Sequence, residues 1–304
     1  MSFCEQNQKV QVEQIHLGET RVHCGMHILH GHRVYPSCVE CPSACIIEQT
    51  PYRGEFTIMN ESNQKIRDFF SQHHHDYQQS AAHARGADLQ ELLTQLAMPT
   101  GAQILDAACG TGHTALAAAA QGYKVTGLDL TPAMLEEGRA VAKQQGLAVE
   151  WVVGDVHHLP WPEGTFDAVT CRRAAHHFRD LPKFLQECLR VLRPGGHLGI
   201  SDMTAPSHAV ADLNAIERLR DTSHWAARSA NEWAQLLADV GFDLIYLRVS
   251  EEVMSPQQWL SPVLPESQPG HAALQRLESP DLAPGIVVKG QFIKYRLVAV
   301  AKKP

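Results

Sequence analysis

An aspartate closes each of three successive apolar runs: Asp106 in "QILDAA", Asp129 in "VTGLDLT" and Asp155 in "VVGD". Just after the first, Gly110 and Gly112 flank Thr111 in "DAACGTGHTALA". Glycines of this kind let a backbone turn approach a ligand closely and adopt torsions closed to other residues. No Lys-Ser or Lys-Thr follows them, which excludes a P-loop. A pyrophosphate would gain nothing from the carboxylate of Asp106 placed ahead of the turn, whereas an ammonium group would. An acid at the end of the second run can accept both ribose hydroxyls. An acid at the end of the third can accept an adenine amino group. The glycine pattern alone also fits a tight strand-to-helix turn that binds nothing; the three acids are what ask for a ribose, an adenine and a cationic tail.

The elements that must hold these residues alternate in type. "QILDAA", "KVTGLDL", "VEWVVGD", "FDAVTCR" and "HLGISDM" read as strands. Between them, "HTALAAAAQ", "PAMLEEGRAVAKQQG" and "LPKFLQECLRVL" read as helices. Pro132 stands at the first turn of the second helix and Gly146 at its end. "SANEWAQLLADVG" adds a helix, and "DLIYLRV" and "QFIKYRLVAVAKK" add strands. This order predicts an α/β, doubly wound, mainly parallel sheet covered on both faces. The glycine turn then lies at the carboxyl edge, near the switch point where such sheets bind ligands. Upstream, residues 62–98 read as two helices joined near Gly86 and ended by Pro99.

S-adenosylmethionine meets the demand of the acids, since it carries a sulfonium and an ammonium and no phosphate. The segments "ILDAACGTGHTA", "GLDLTPAML", "GDVHHLPWPEGTFDAVTCRRAAHHF" and "CLRVLRPGGHL" together resemble class I S-adenosylmethionine-dependent methyltransferases. Within that class they are most similar to small-molecule enzymes of the ubiquinone/menaquinone-biosynthesis type. The likeness runs from about residue 65 to residue 250. It implies a Rossmann-like, seven-stranded sheet whose last strand is antiparallel. It also implies that Asp106, Gly110 and Gly112 hold the methionine end, that Asp129 takes the ribose, and that Leu130 and Met134 flank the adenosine. Met134 equally suits ordinary helix core. Asp155 and Val156 would take the adenine, and the segment from Cys171 to His177 would face donor and acceptor. Tyr77 and His83 would lie in a helical lid over residues 62–98.

Methyl transfer from a sulfonium is an in-line displacement in which alignment in a dry pocket does much of the work. A base is needed only if the acceptor loses a proton. His176 and His177 in "RRAAHHF" are the base candidates, and one of them equally suits a structural anchor. Asp221 and His224 in "RDTSH" offer a second acid–imidazole pair or a helix-capping arrangement.

Residues 1–58 differ in character: rich in Cys and His, poor in helical periodicity, with short β-like runs. Cys24, Cys38, Cys41 and Cys45 form an upstream thiol plus a CxxCxxxC group, with His23, His27, His30 and His32 nearby. Four thiolates suit a structural zinc site, and an iron–sulfur cluster or free thiols are the alternatives. The expected organisation is therefore a small Cys-rich metal-binding module, 1–58, ahead of a methyltransferase domain, 62–304.

Of 304 residues, 44% are hydrophobic and 19% charged, which supports a sizeable core. No long apolar run and no secretory signal is visible, so the expectation is a cytoplasmic protein without a membrane span. A net charge of −7 argues against a broad nucleic-acid surface. The expected partner is a small-molecule methyl acceptor, with a homodimer as one candidate assembly. Two rival readings remain: a dinucleotide-dependent oxidoreductase, which Asp129 alone would suit, and a metal- or redox-responsive binding protein that uses the adenosyl group as a ligand.

Overall fold

In a computed structural model, residues 86–304 are described except residue 262, together with short stretches between residues 14 and 71. The chain divides into two compact units, Met1–Ile47 and Glu48–Pro304, ahead of the boundary expected near residue 58. In the first unit, Gln14–Leu17 pairs antiparallel with Thr20–His23, and Ile28–Leu29 pairs with His32–Arg33. Cys24, Cys38, Cys41 and Cys45 lie outside the described residues, as do Tyr77 and His83. Among the described residues no cluster of His, Cys, Asp and Glu is arranged to hold a metal ion, so the zinc or iron–sulfur expectation has no counterpart there.

The second unit is built on one sheet. Its strands are β1 (Gln103–Ala107), β2 (Lys124–Asp129), β3 (Val149–Val153), β4 (Phe166–Arg172), β5 (Leu192–Thr204), β6 (Asp243–Met254) and β7 (Gln291–Lys302). They lie in the order β6-β7-β5-β4-β1-β2-β3, and a two-residue strand, Val287–Val288, adds an eighth beside β7. The ladders linking β1 to β5 are parallel, while β7 runs antiparallel to both β5 and β6. This is the Rossmann-like, mostly parallel arrangement expected, plus one short strand. The order reverses between β1 and β4, so the connections leaving their carboxyl ends diverge and open a crevice.

Besides helical residues between 63 and 71, eight helices have described bounds: α1 (Ala87–Leu96), α2 (His113–Ala120), α3 (Pro132–Gln145), α4 (Leu181–Val191), α5 (Val210–Arg220), α6 (Ala230–Val240), α7 (Pro256–Leu260) and α8 (Gln268–Leu277). Pro132 starts α3, and Gly146 ends it at φ +68°, a left-handed torsion that glycine adopts without strain. On one face, Phe184, Leu185, Trp233 and Leu237 of α4 and α6 bury against Leu198, Ile200 and Leu297. On the other, Leu89, Leu93 and Leu96 of α1, at helical spacing, bury against Ile104, Ala168 and Val300. Helix α1 is thus a layer of the core, so the second half of the expected lid over 62–98 packs on the sheet. Helices α5, α7 and α8 were not legible in the sequence; they gather around Trp259 and Phe292 in a separate cluster. No described helix is long and apolar enough to cross a membrane.

Candidate active site

The crevice at the switch point is a cavity of about 470 Å³. Its walls come from the glycine turn after β1, the ends of β2, β3 and β4, and helical residues Asn63, Ile66 and Phe70 from the upstream segment. The glycine turn is held by side chains as much as by its own backbone. Gly110 sits at φ +55° and Gly112 at φ +81°. The Gly110 N–H donates to Asp129 Oδ2 at 2.8 Å, and the Thr131 N–H donates to Asp129 Oδ1 at 2.9 Å. One carboxylate therefore ties the first strand–helix turn to the second. A carboxylate has further lone pairs, so it can still accept hydroxyl donors from a ligand. Burial pushes its pKa up, against the pull of those backbone donors.

A tryptophan that carries no motif supports the same turn. A Cβ on Gly138 would stand 2.7 Å from the Trp151 ring, one on Gly127 would stand 3.1 Å from it, and one on Gly112 would overlap it. The three glycines make a socket for one indole, which lies against the cofactor turn. Only long-range packing shows this; the sequence presents Trp151 as an ordinary strand residue.

The expected site residues separate into three groups. Gly110, Asp129, Leu130, Met134, Asp155, Val156 and His177 line the cavity. Asp106, Gly112, Cys171 and His176 do not; they lie behind its wall. Cys171 is fully buried in the core between β4 and α4. Asp106 is buried under the turn, where its Oδ1 accepts the Thr170 hydroxyl at 2.7 Å and its Oδ2 has no hydrogen-bond partner among the described residues. Burial raises its pKa to about 7. An unpaired buried carboxylate oxygen next to the turn remains consistent with a nearby cationic group. Tyr77 and His83 form the third group, outside the described residues.

Asp155 is clamped. Its Oδ1 accepts the His157 N–H at 2.9 Å and meets the His157 ring at 2.7 Å, and its Oδ2 accepts the Asn63 amide at 2.9 Å. Burial opposes the charge, but these donors hold the carboxyl below its usual range. Cys109 also faces the cavity, yet burial and the charges of Asp129 and Asp106 raise its pKa well above normal. It stays a thiol and is no nucleophile.

The two adjacent histidines have different jobs. His176 places Nδ1 2.6 Å from Asp202 Oδ1, and its backbone N–H donates to Asp202 Oδ2 at 2.8 Å. It anchors the segment after β4. His177 faces the cavity, with Nδ1 3.1 Å from both the Ser223 carbonyl and the Ser223 hydroxyl. The Ser223 hydroxyl donates to Asp221 Oδ1 at 2.6 Å. A carbonyl only accepts, so His177 carries its proton on Nδ1 and its lone pair on Nε2. Burial, reinforced by the neighbouring His176, lowers its pKa to about 4. The imidazole is therefore neutral at physiological pH. His224 bonds Asn214 at 2.7 Å rather than Asp221, so of the two alternatives the acid–imidazole pair is not formed, while Asp221 stands at the C-cap of α5.

Sequence reasoning missed Asn63, Phe70 and Ser223, and it placed Arg172 and Arg173 only within the segment from Cys171 to His177, with no role of their own. Both arginines line the cavity and both bind Asp88 of α1, at 2.8 Å and 2.7 Å. The Arg-Arg doublet just ahead of the two histidines was the one available signal.

A family model described as a methyltransferase domain matches residues 105–200. The uncharacterized methyltransferase YcgJ of Bacillus subtilis is 35% identical over 172 residues, spanning 56% of this chain and 68% of that protein. The demethylmenaquinone methyltransferase of Thermus thermophilus is 42% identical over 106 residues, but the match spans only 34% of this chain and 48% of that enzyme. A crystal structure from Bacillus halodurans, described as a methyltransferase, superimposes with a TM-score of 0.65 at 31% identity, covering 72% of this chain and all of that one.

Proposed function

This chain belongs to the methyltransferase-domain family, and on that premise we propose that it moves a methyl group from S-adenosylmethionine to a small-molecule acceptor. The observation that carries the reading is the placement of Asp129 and Asp155 at adjacent strand ends of one cavity, beside a glycine turn with no phosphate-binding side chain. The residues present fit that cofactor: two acids for the ribose and adenine, Leu130, Met134 and Val156 as apolar neighbours, and a cavity of about 470 Å³.

Bound there, the cofactor supplies a methyl group already activated by its sulfonium. The chain's own work is positioning and proton handling. Asp129 fixes the turn and the ribose together. Phe70 stands edge-on to His177, with ring centroids 5.2 Å apart, and closes the cavity over it. His177 offers Nε2 to a proton leaving the acceptor, and Asp221 steadies the resulting imidazolium through Ser223. His176 holds the segment in place.

The test is turnover with methyl-labelled cofactor and a metabolite extract, followed by identification of the labelled product. His177→Gln is expected to lower kcat by about a hundredfold or more while S-adenosylhomocysteine affinity stays unchanged. Full turnover in that variant would remove the base assignment. For the front module we keep zinc on Cys24, Cys38, Cys41 and Cys45, supported by their spacing. Metal analysis with absorption spectroscopy tests it, since an iron–sulfur cluster is coloured and zinc is not.

A further inference from the structure

The cavity is divided by charge. Asp129 and Asp155 occupy the β2 and β3 side. Arg172, Arg173, Arg179 and Lys183, with Asp180 as the one acid among them, occupy the side of β4 and the start of α4. Lys294 and Arg296 do not line this cavity, but register places them further along the same face of the sheet. Arg172 pairs with Ser201 on β5, Ser201 pairs with Val298 on β7, and Met203 pairs with Arg296. Paired residues share a face and alternate residues along a strand repeat it, so Arg172, Ser201, Arg296 and Lys294 all point to the α1 side. The Ser201 hydroxyl confirms that face, since it donates to Asp88 of α1 at 3.0 Å.

Four cations therefore share a half-buried corner in which Asp88 is the one acid that ion-pairs with any of them among the described residues, and that acid is spent. Asp88 accepts hydrogen bonds from Arg172, Arg173 and Ser201. Burial opposes its charge, but the two guanidinium groups hold its carboxyl far below the usual range. Arg296 feels the charges of Asp88 and Asp202 but makes no ion pair among the described residues, and its Nη1 is buried there without a hydrogen-bond partner. Lys294 makes no ion pair among the described residues; Glu252, its register partner on β6, is solvent-exposed. Burial, with Arg296 and Arg173 nearby, lowers the Lys294 pKa to about 8. Burial, with Arg173 nearby, lowers that of Arg296 to about 10. Arg173 itself is held at φ +57°, a left-handed torsion unusual for a bulky residue. A buried, unpaired cation destabilises a fold, and such costs collect where a ligand relieves them.

We propose that Arg173, Lys294 and Arg296 form an anchoring subsite for an anionic group, a carboxylate or a phosphate, on the methyl acceptor. This rests on the methyl-transfer reading and extends it to substrate class. The cationic donor lies over the acidic side of the cavity, the anionic end of the acceptor over the basic side, and His177 stands on the wall at the β4 end.

The experiment uses the full chain loaded with S-adenosylhomocysteine, titrated at constant ionic strength with benzoate, phenyl phosphate and neutral benzyl alcohol. Saturable binding of one or both anions, with a rise in Tm, is expected, and the two arms tell carboxylate from phosphate. Arg296→Gln and Lys294→Gln should each weaken that binding at least tenfold while leaving S-adenosylhomocysteine affinity unchanged. Arg296→Gln should also raise the Tm of the anion-free protein, because it removes the unpartnered cation. The proposal is overturned if neither anion binds more tightly than benzyl alcohol, if the variants bind anions as the wild type does, or if both variants lower the anion-free Tm. Failure of the wild type to bind S-adenosylhomocysteine overturns the methyl-transfer reading and this subsite with it, whereas failure of the anions alone removes only the subsite.

Discussion

Replacing Asp129 by Ala tests whether that carboxylate serves the fold as well as a ligand. In the structure it accepts from the Gly110 N–H at 2.8 Å and the Thr131 N–H at 2.9 Å. Alanine leaves both donors without acceptors, at about 1–3 kcal/mol each when buried. Part of that is returned, since a desolvated carboxylate is also removed; its raised pKa shows that its charge is not comfortable there. A net loss of roughly 2–4 kcal/mol remains, or roughly 4–16 °C in Tm for a domain of this size. Cofactor binding should suffer more, because two charge-assisted hydrogen bonds to ribose vanish and the turn loosens. A loss of about a hundredfold or greater in S-adenosylhomocysteine affinity is expected. Asp129→Asn keeps one acceptor oxygen and should fall between wild type and Ala in Tm. Thermal unfolding and calorimetric titration measure the two effects. If Asp129→Ala melts within about 2 °C of wild type and binds within about threefold, the carboxylate holds neither turn nor ribose and the reasoning fails.

Three further outcomes follow from other contacts. Gly138→Ala should lower Tm although alanine is favoured in a helix by about 1 kcal/mol, because its Cβ would stand 2.7 Å from the Trp151 ring and 3.0 Å from the Thr111 carbonyl oxygen; a rise in Tm would show that the socket is loose. Asp88→Asn should cost about 3–5 kcal/mol in urea unfolding, since it removes the buried carboxylate that both Arg172 and Arg173 bind, and a change under about 1 kcal/mol would contradict the pairing. His177 titrates at about 4 in the fold against 6.5 for an unperturbed imidazole, so the unfolded chain takes up the proton first as pH falls. Its share of stability is complete above pH 6.5 and is lost between 6.5 and about 4, roughly 3 kcal/mol in all; a flat stability profile over that window would refute its burial as a neutral ring.

The readable parts of this molecule were those with local signatures. The alternation of strands and helices, Pro132 and Gly146 bounding α3, and the acids at strand ends all follow from neighbours in the chain. What a strand end does not reveal is which way its side chain points. β4 is apolar through most of its length and suits burial on both faces, so its pattern does not say that Cys171 enters the core while Arg172 meets the cavity. Asp106 and Asp129 both end strands, yet one lies under the turn and the other on the cavity wall. The rest depends on partners distant in sequence. Asp88 meets arginines 84 and 85 positions away, and Lys294 and Arg296 join them only because β7 inserts between β5 and β6. Helices α5, α7 and α8 escaped for a related reason: their apolar faces are short and complete a cluster only with one another and with residues distant in sequence, Phe292 of β7 among them.

Because Gly112, Gly127 and Gly138 all abut one indole, the four positions form a single heritable unit. A methyl at Gly112 or Gly138 collides with the tryptophan, one at Gly127 presses on it, and a smaller residue at position 151 opens a void beneath the turn. Divergence there must proceed by coordinated exchange, so this corner should drift more slowly than its modest exposure would suggest.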